Sequence, residues 1–437
     1  MASSFAFFPT RRFLPLFCTQ FLGALNDNLL KTAFLVLVSY AGLSFAGLPP
    51  AQIVNMAAGV FILPFFLFSA TAGRLAEKID KSRVAHWVKI AEVAIMLLAA
   101  WGFYTHTVGA LLTALFLMGA HSTFFGPVKY AVLPQHLREH ELIGGNGLIE
   151  MGTFVAILVG QIGGALMVQS GSHTTVGILV AVALAGLLAS LLIPAAPAPA
   201  PKLRLSANIA GDTWVLLRRV RRYPDVGSAI MGISWFWLLG AVYTTQLPTF
   251  TRLHLGGDAN VYTLILALFS IGIASGSILC AKLSAGRLQL GLVLLGGAGM
   301  TLFGIDLFLS THAPWQGPLL SMATFLTSPA HWRDMADLFL LGVSGGFFTV
   351  PLYTWLQTAA PEDFRAQAIA ANNIVNGLYM VAATVASAVV LALTDSISLL
   401  FLLVSLGNLL AMVLLCRRAP RIWRERLAWI GGARPAP

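Results

Sequence analysis

Gly119 to Tyr130 reads G-A-H-S-T-F-F-G-P-V-K-Y, and Gly342 to Tyr353 reads G-V-S-G-G-F-F-T-V-P-L-Y. Gly, the Phe-Phe pair and Tyr fall in the same register, and Leu133 and Leu356 continue it. The apolar segment that follows each stretch matches as well, with Asn146-Gly-Leu-Ile-Glu150 against Asn372-Asn-Ile-Val-Asn376. Chance similarity between apolar helices explains one such match. Two matches in consecutive segments and in the same order point to an internal repeat, and so to a chain made of two related halves.

Outward from these stretches, apolar runs of about 20 residues recur from end to end, the length a helix needs to cross a bilayer. The 437 residues are 57% hydrophobic and only 10% charged, with a mean hydropathy of +0.81. This is the composition of an all-α integral membrane protein. Twelve spans are expected, at about 13–43, 50–73, 84–105, 108–133, 143–170, 175–193, 226–252, 259–283, 288–310, 335–358, 367–393 and 397–416. An Ala/Pro-rich stretch from Pro194 to Pro201, followed by the basic run Arg218 to Arg222, separates spans six and seven. The expected organisation is a six-helix half at 1–193, a cytoplasmic linker at 194–225, a second six-helix half at 226–416 and a basic cytoplasmic tail at 417–437.

The net charge of +10 reports orientation and not a nucleic-acid partner, because the basic residues cluster in short connections. With the N-terminus in the cytoplasm, Arg74, Lys78, Lys81, Arg83, Arg138, Lys202, Arg204, Arg218 to Arg222, Arg287 and Arg365 all fall inside. Arg252 and Arg333 are left outside. Both termini are then cytoplasmic. The N-terminal run contains Asn-Asp-Asn and no persuasive cleavage site, so it reads as a retained span. In the tail, Ile422, Trp423, Leu427 and Trp429 interleave with arginines, which suits either a short helix on an anionic leaflet or a solvated end. Cys18, Cys280 and Cys416 are scattered and form neither a disulfide framework nor a zinc site.

Polar residues inside spans are costly and therefore informative. Span one carries Asn26-Asp27-Asn28 and Lys31, with Gln20 on the same stripe. They line a substrate or ion pathway, or Asp27 and Lys31 neutralise each other. Lys129 shares a helix face with Ser122 and Gly126 and follows Pro127. Its ammonium suits a phosphate, with snorkelling to headgroups as the competing reading. Glu150 lies on a stripe with Asn146 and Gln161, and Asn372, Asn376 and Tyr379 form the equivalent stripe in span eleven. In the repeat Lys129 aligns with Leu352 and Glu150 with Asn376, so at these positions the first half is ionisable and the second half neutral. Tyr130 and Gln246 join the candidate binding set, and interhelical hydrogen bonding is the alternative role for the asparagines. Lys89 and Glu92, three apart, read as a structural pair.

Gly73-Arg-Leu-Ala-Glu-Lys-Ile-Asp-Lys-Ser-Arg83 resembles the G-x-L-a-D-r-x-G-r-k signature of major facilitators, in which an acidic residue and its basic neighbours latch helix ends in one conformational state. Glu77 replaces the usual Asp and Asp80 the usual Gly. The resemblance makes Gly73, Arg74, Glu77, Asp80 and Arg83 gating candidates, beside the plain positive-inside reading of the loop. Parallel six-span halves are likewise the organisation of that superfamily, whose substrate cavity lies between them.

More narrowly, Gln20 to Asn28, Pro127-Val-Lys-Tyr130, Asn146 to Glu150 and Gly345 to Leu352 resemble the bacterial lysophospholipid transporter (LplT) family. They resemble equally the transporter portion of proteins fused to an acyltransferase and acyl-carrier-protein synthetase. The resemblance implies a major facilitator fold in the bacterial cytoplasmic membrane. It further implies flipping of lysophosphatidylethanolamine and related lysolipids to the inner leaflet, where a partner acyltransferase/acyl-ACP synthetase reacylates them. Other members carry a basic residue in span seven, where this chain has Ala241-Val-Tyr-Thr-Thr-Gln246. A facilitator exporting drugs or other amphipaths is the alternative. No histidine begins an H-x-x-x-x-D motif, and no P-loop or H-E-x-x-H occurs. No enzymatic activity, catalytic residue, metal or cofactor is expected, and a monomer is.

Overall fold

The computed structural model describes residues 5–206, 208–310 and 314–425. Their order is α1 (Leu14–Ala41), α2 (Pro50–Lys78), α3 (Lys81–Thr105), α4 (Val108–His136), α5 (Leu142–Gln169), α6 (Ser172–Leu191), α7 (Ile209–Val220) and α8 (Pro224–Leu253). There follow α9 (Ala259–Leu283), α10 (Gly291–Ser310), α11 (Met322–Thr327), α12 (Trp332–Ala359), α13 (Arg365–Thr394), α14 (Ile397–Arg418) and α15 (Pro420–Arg424). Twelve of these, all but α7, α11 and α15, are long and apolar enough to cross a bilayer. Lipid offers backbone groups no hydrogen bonds, so a helix, which satisfies its own, is the element such runs adopt.

The helix ends follow local chemistry. Asp258 accepts hydrogen bonds from the N–H groups of Asn260 and Val261 at the start of α9, and Ser396 accepts one from Leu399 at the start of α14. Gly42 closes α1 in the left-handed region, φ 62°, where a residue without Cβ costs least. The 73–83 signature divides differently from its reading as a loop. Nothing between Gly73 and Lys78 breaks a helix, so α2 continues through it to Lys78, and Asp80 caps α3.

The linker also contains more order than its composition suggests. Asn208 caps a twelve-residue helix, α7, by accepting from the Gly211 N–H at 2.8 Å. In the tail, α15 follows α14, while Leu427 and Trp429 lie outside the described residues.

Two compact units are distinguished. The first comprises Met1–Gly145, Ala156–Pro224 and Gln357–Ile374; the second comprises Asn146–Val155, Asp225–Leu356 and Val375–Pro437. In the first, α3 packs on α4 and α6, and α2 on α4. Their core includes Phe34, Met96, Phe103, Leu111 and Leu179.

The repeated glycine has the same task in each unit. A Cβ on Gly119 of α4 would collide with the Phe61 carbonyl of α2, and one on Gly342 of α12 with the Phe269 carbonyl of α9. Small residues let helix backbones touch where lipid supplies no hydrophobic drive to association. Gly160 and Gly164 of α5 do this against α1, where a Cβ would lie 2.6 Å from Asn28 Cβ and 2.9 Å from the Leu29 carbonyl respectively.

Gly160→Val should therefore destabilise the protein by about 1–3 kcal/mol through overpacking. Gly177→Ala, which meets nothing within 4 Å, should be neutral. Thermal unfolding of the detergent-purified variants measures both, and equal melting temperatures would contradict the α1–α5 contact.

Candidate functional site

Glu92 of α3 is a fully buried carboxylate in the first unit. Lys89 Nζ lies 2.5 Å from its Oε2, His121 Nε2 of α4 lies 3.0 Å from the same oxygen, and Asn26 of α1 donates its amide to Oε1 at 2.9 Å. Lys89, Glu92 and Asn26 are each 0% exposed. Gly23 of α1 and Gly186 of α6 leave room for the ammonium, since a Cβ at either would come within 2.8 Å and 3.2 Å of Lys89 Nζ. Asn26 also reaches the Leu179 carbonyl of α6 at 3.4 Å. The cluster thus joins four helices. The structural pairing of Lys89 with Glu92 is as read from their spacing; Asn26, expected on a binding face, is spent on Glu92. His121 escaped the sequence reading, although an ionisable residue beside Gly119 in an apolar run was a signal.

Asp27, the neighbour of Asn26, points elsewhere. Its Oδ2 accepts a hydrogen bond from Ser122 Oγ of α4 at 2.7 Å. Lys31 sits over the Phe61 ring, 4.5 Å from its centroid, a cation–π arrangement. Among the described residues no Asp27–Lys31 contact falls within ion-pair distance. Ser122, Gly126 and Lys129 recur along one stripe of α4, so Asp27 and Lys129 mark the same face of that helix, with about 10 Å of axial rise between Ser122 and Lys129. Lys129 is half-buried, its ammonium 4.8 Å from the centre of the Tyr130 ring. Asn28 donates to the Ala24 carbonyl of its own helix at 2.8 Å.

Tyr130 is buried, and its carbonyl accepts from Gln357 Nε2 at 3.1 Å. Asn372 is 0% exposed, and neither atom of its amide has a hydrogen-bond partner among the described residues. Its repeat counterpart Asn146, in the second unit, donates to Thr354 Oγ1 at 3.1 Å. Asn376 accepts from Ser234 Oγ at 2.7 Å. Glu150 is buried to 1% exposure, and Gln246 lies half-buried on α8. In the same unit Trp237 donates to Tyr353 Oη at 3.1 Å and stacks with Phe154.

The gating candidates converge in the first unit. Gly73 admits the start of α13, where a Cβ would lie 2.7 Å from Ala370 Cβ and 2.9 Å from Gln367 Cα. Glu77, 0% exposed, accepts the Ala366 N–H at 2.6 Å. A carboxylate there caps unpaired donors and meets the positive end of the helix dipole. Arg74 Nη1 reaches Asp212 Oδ1 of α7 at 2.8 Å. Burial raises the Asp80 carboxyl, yet hydrogen bonds from Ser82 and from the Ala196 N–H outweigh it and hold the group below the usual carboxylate range. That contribution is present above the ordinary carboxylate pKa and is lost as pH falls through the depressed value. Arg83 is exposed. Arg365 Nε donates to the Gln357 carbonyl at 2.7 Å within the 357–366 segment, and that segment is held to the rest of the unit by Glu77 at the Ala366 N–H and by Gln357 at the Tyr130 carbonyl. Asp212 and Ala366 lie far from the signature in sequence and were not legible as its partners.

A profile of the Major Facilitator Superfamily matches residues 16–384. The chain belongs to that superfamily. It is accordingly a multi-pass transporter and not an enzyme. The human organic anion transporter MFSD10 (TETRAN) has a similar fold, with TM-score 0.70 and 15% identity over 93% of this chain and all of that one (100%). FucP in its outward conformation gives 0.67 and 14% over 93% and 98%. In sequence the chain is 26% identical over 377 residues to "Lysophospholipid transporter LplT" of Serratia proteamaculans (strain 568), covering 84% of this chain and 85% of that protein. The protein of the same name from Yersinia pestis (strain Pestoides F) is 25% identical over 382 residues, covering 84% and 83%.

Three variants probe the buried cluster and the 73–83 signature separately. Lys89→Met strands a buried carboxylate and should cost about 3–5 kcal/mol, whereas Lys89→Met combined with Glu92→Leu should recover much of it; a double variant less stable than the single in thermal unfolding would refute this. Arg74→Gln should leave the melting temperature nearly unchanged but speed tryptic cleavage at Arg218 to Arg222, because α7 loses its tether.

Proposed function

We propose that this protein is a lysophospholipid transporter, moving lysophosphatidylethanolamine and related lysolipids by alternating access from the outer to the inner leaflet of a bacterial cytoplasmic membrane, for reacylation. The similarity to the two LplT proteins, running over more than four-fifths of each chain, carries this reading. The polar residues of the membrane helices supply chemistry that suits it. A zwitterionic lysolipid presents a phosphate and an ammonium, so its carrier needs a cation and an anion within otherwise apolar walls. Lys129 is the phosphate ligand in this reading, as a point charge on a half-buried stem. Asp27, with one oxygen held by Ser122 and the other without a hydrogen bond among the described residues, is the candidate for the ammonium, and Glu150 is the second.

The same reading makes Arg74, Glu77 and Asp80 the latch at the cytoplasmic end, with both termini on that side. An acyltransferase/acyl-ACP synthetase is the downstream partner, a monomer the working unit, and the two halves 1–193 and 226–416 the repeated bodies.

Lys129→Gln should lower lysolipid flipping in reconstituted vesicles by about tenfold or more, equivalent to at least about 1.4 kcal/mol, with the melting temperature retained. Lys129→Arg should keep part of the activity. Undiminished flipping by Lys129→Gln would sink the assignment, and transport of cationic dyes in preference to lysolipid would favour an exporter.

A further inference from the structure

The linker helix α7 has two unlike faces. Asp212, Leu216 and Arg219, at i, i+4 and i+7, turn toward the first unit. Asp212 is held by Arg74, and Arg219 pairs with Asp363 at 3.3 Å while its guanidinium covers the Phe364 ring at 4.3 Å. The opposite face carries Trp214 and Val215, 62% and 55% exposed, with Arg218 exposed beside them. Leu205 is exposed before the helix and Ile209 at its first position, and Arg221 and Arg222 are exposed after it. From Lys202 to Arg222 six side chains are basic, and the one acid, Asp212, is turned inward. Only Arg221 to Tyr223 separate α7 from α8, a membrane span, so this face is held where a headgroup layer begins. An exposed tryptophan among aliphatics and arginines is the composition of a helix resting in a bilayer interface.

We infer that α7 is a docking surface for anionic lipid headgroups, with Trp214 and Val215 entering the interface and Arg218, Arg221 and Arg222 meeting the phosphates. Because its inner face is tied to Arg74 of the signature and to Asp363 and Phe364 just before α13, headgroup binding holds the 73–83 segment and the start of α13 in the packed arrangement described above.

The test uses the full-length protein in nanodiscs, with brominated phosphatidylglycerol or brominated phosphatidylcholine as quencher. Phosphatidylglycerol should quench a component of the tryptophan fluorescence that Trp214→Phe lacks. Combined Arg218→Gln, Arg221→Gln and Arg222→Gln should at least halve the preference for the anionic quencher, and high salt should do the same to the wild type. Quenching identical in wild type and Trp214→Phe would overturn the proposal, as would equal quenching by the two lipids. In a second measurement, anionic lipid should slow hydrogen exchange at 363–368 several-fold in the wild type and not in the triple variant; exchange indifferent to the lipid would remove the link to the signature. Neither readout involves lysolipid transport, so a failure here is separate from a failure of the proposed substrate.

Discussion

Four helices of the first unit converge on one carboxylate. Glu92 collects Lys89 from its own helix, Asn26 from α1 and His121 from α4, and Asn26 extends the contact to α6. Each of these groups would be expensive alone in a membrane interior, and their proximity is what makes them tolerable. The arrangement constrains more than stability. With Asn26 committed to Glu92, the adjacent Asp27 is turned toward Ser122 and so onto the stripe of α4 that carries Lys129. A buried structural cluster thereby aims the functional candidates.

The signature between α2 and α3 works by similar economy. Glu77 and Gly73 meet the first turns of α13 through backbone, one by accepting an N–H and the other by having no side chain. The hydrogen bond asks little of the side chain at 366, whereas Gly73 also needs the small side chain of Ala370. The charged partner of the motif is instead Asp212, on a helix the motif's own spacing gives no hint of. Replacement of the usual Asp by Glu lengthens the acid by one methylene, and it still reaches the Ala366 amide. Asp80, where glycine is usual, serves as the cap of α3.

Length and hydropathy made the twelve spans legible, because the bilayer imposes both on the chain. The aligned glycines of the repeat, Gly119 and Gly342, satisfy the same steric demand, each facing a neighbouring carbonyl. What was hidden is pairing across helices. Lys89 and Glu92 announce each other at i, i+3, but His121 and Asn26 come from other segments, and nothing local distinguishes an asparagine on a packed face from one on a binding face. Lys31 illustrates the same limit: its spacing from Asp27 suggests an electrostatic partner, but not that the ammonium also lies over the Phe61 ring of α2. The helix α7 was obscured by its Pro-rich approach and its shortness, although Asp212, Leu216 and Arg219 carry a helical period.

The carbonyl contacts at Gly119 and Gly342 bear on how such a molecule can move. With no side chain between α4 and α2, or between α12 and α9, there is no cushion of rotamers to absorb a relative shift. In each of these two pairs a relative displacement would bring one backbone directly against the other, so the contact registers α2 against α4, and α9 against α12, more tightly than interleaved side chains would.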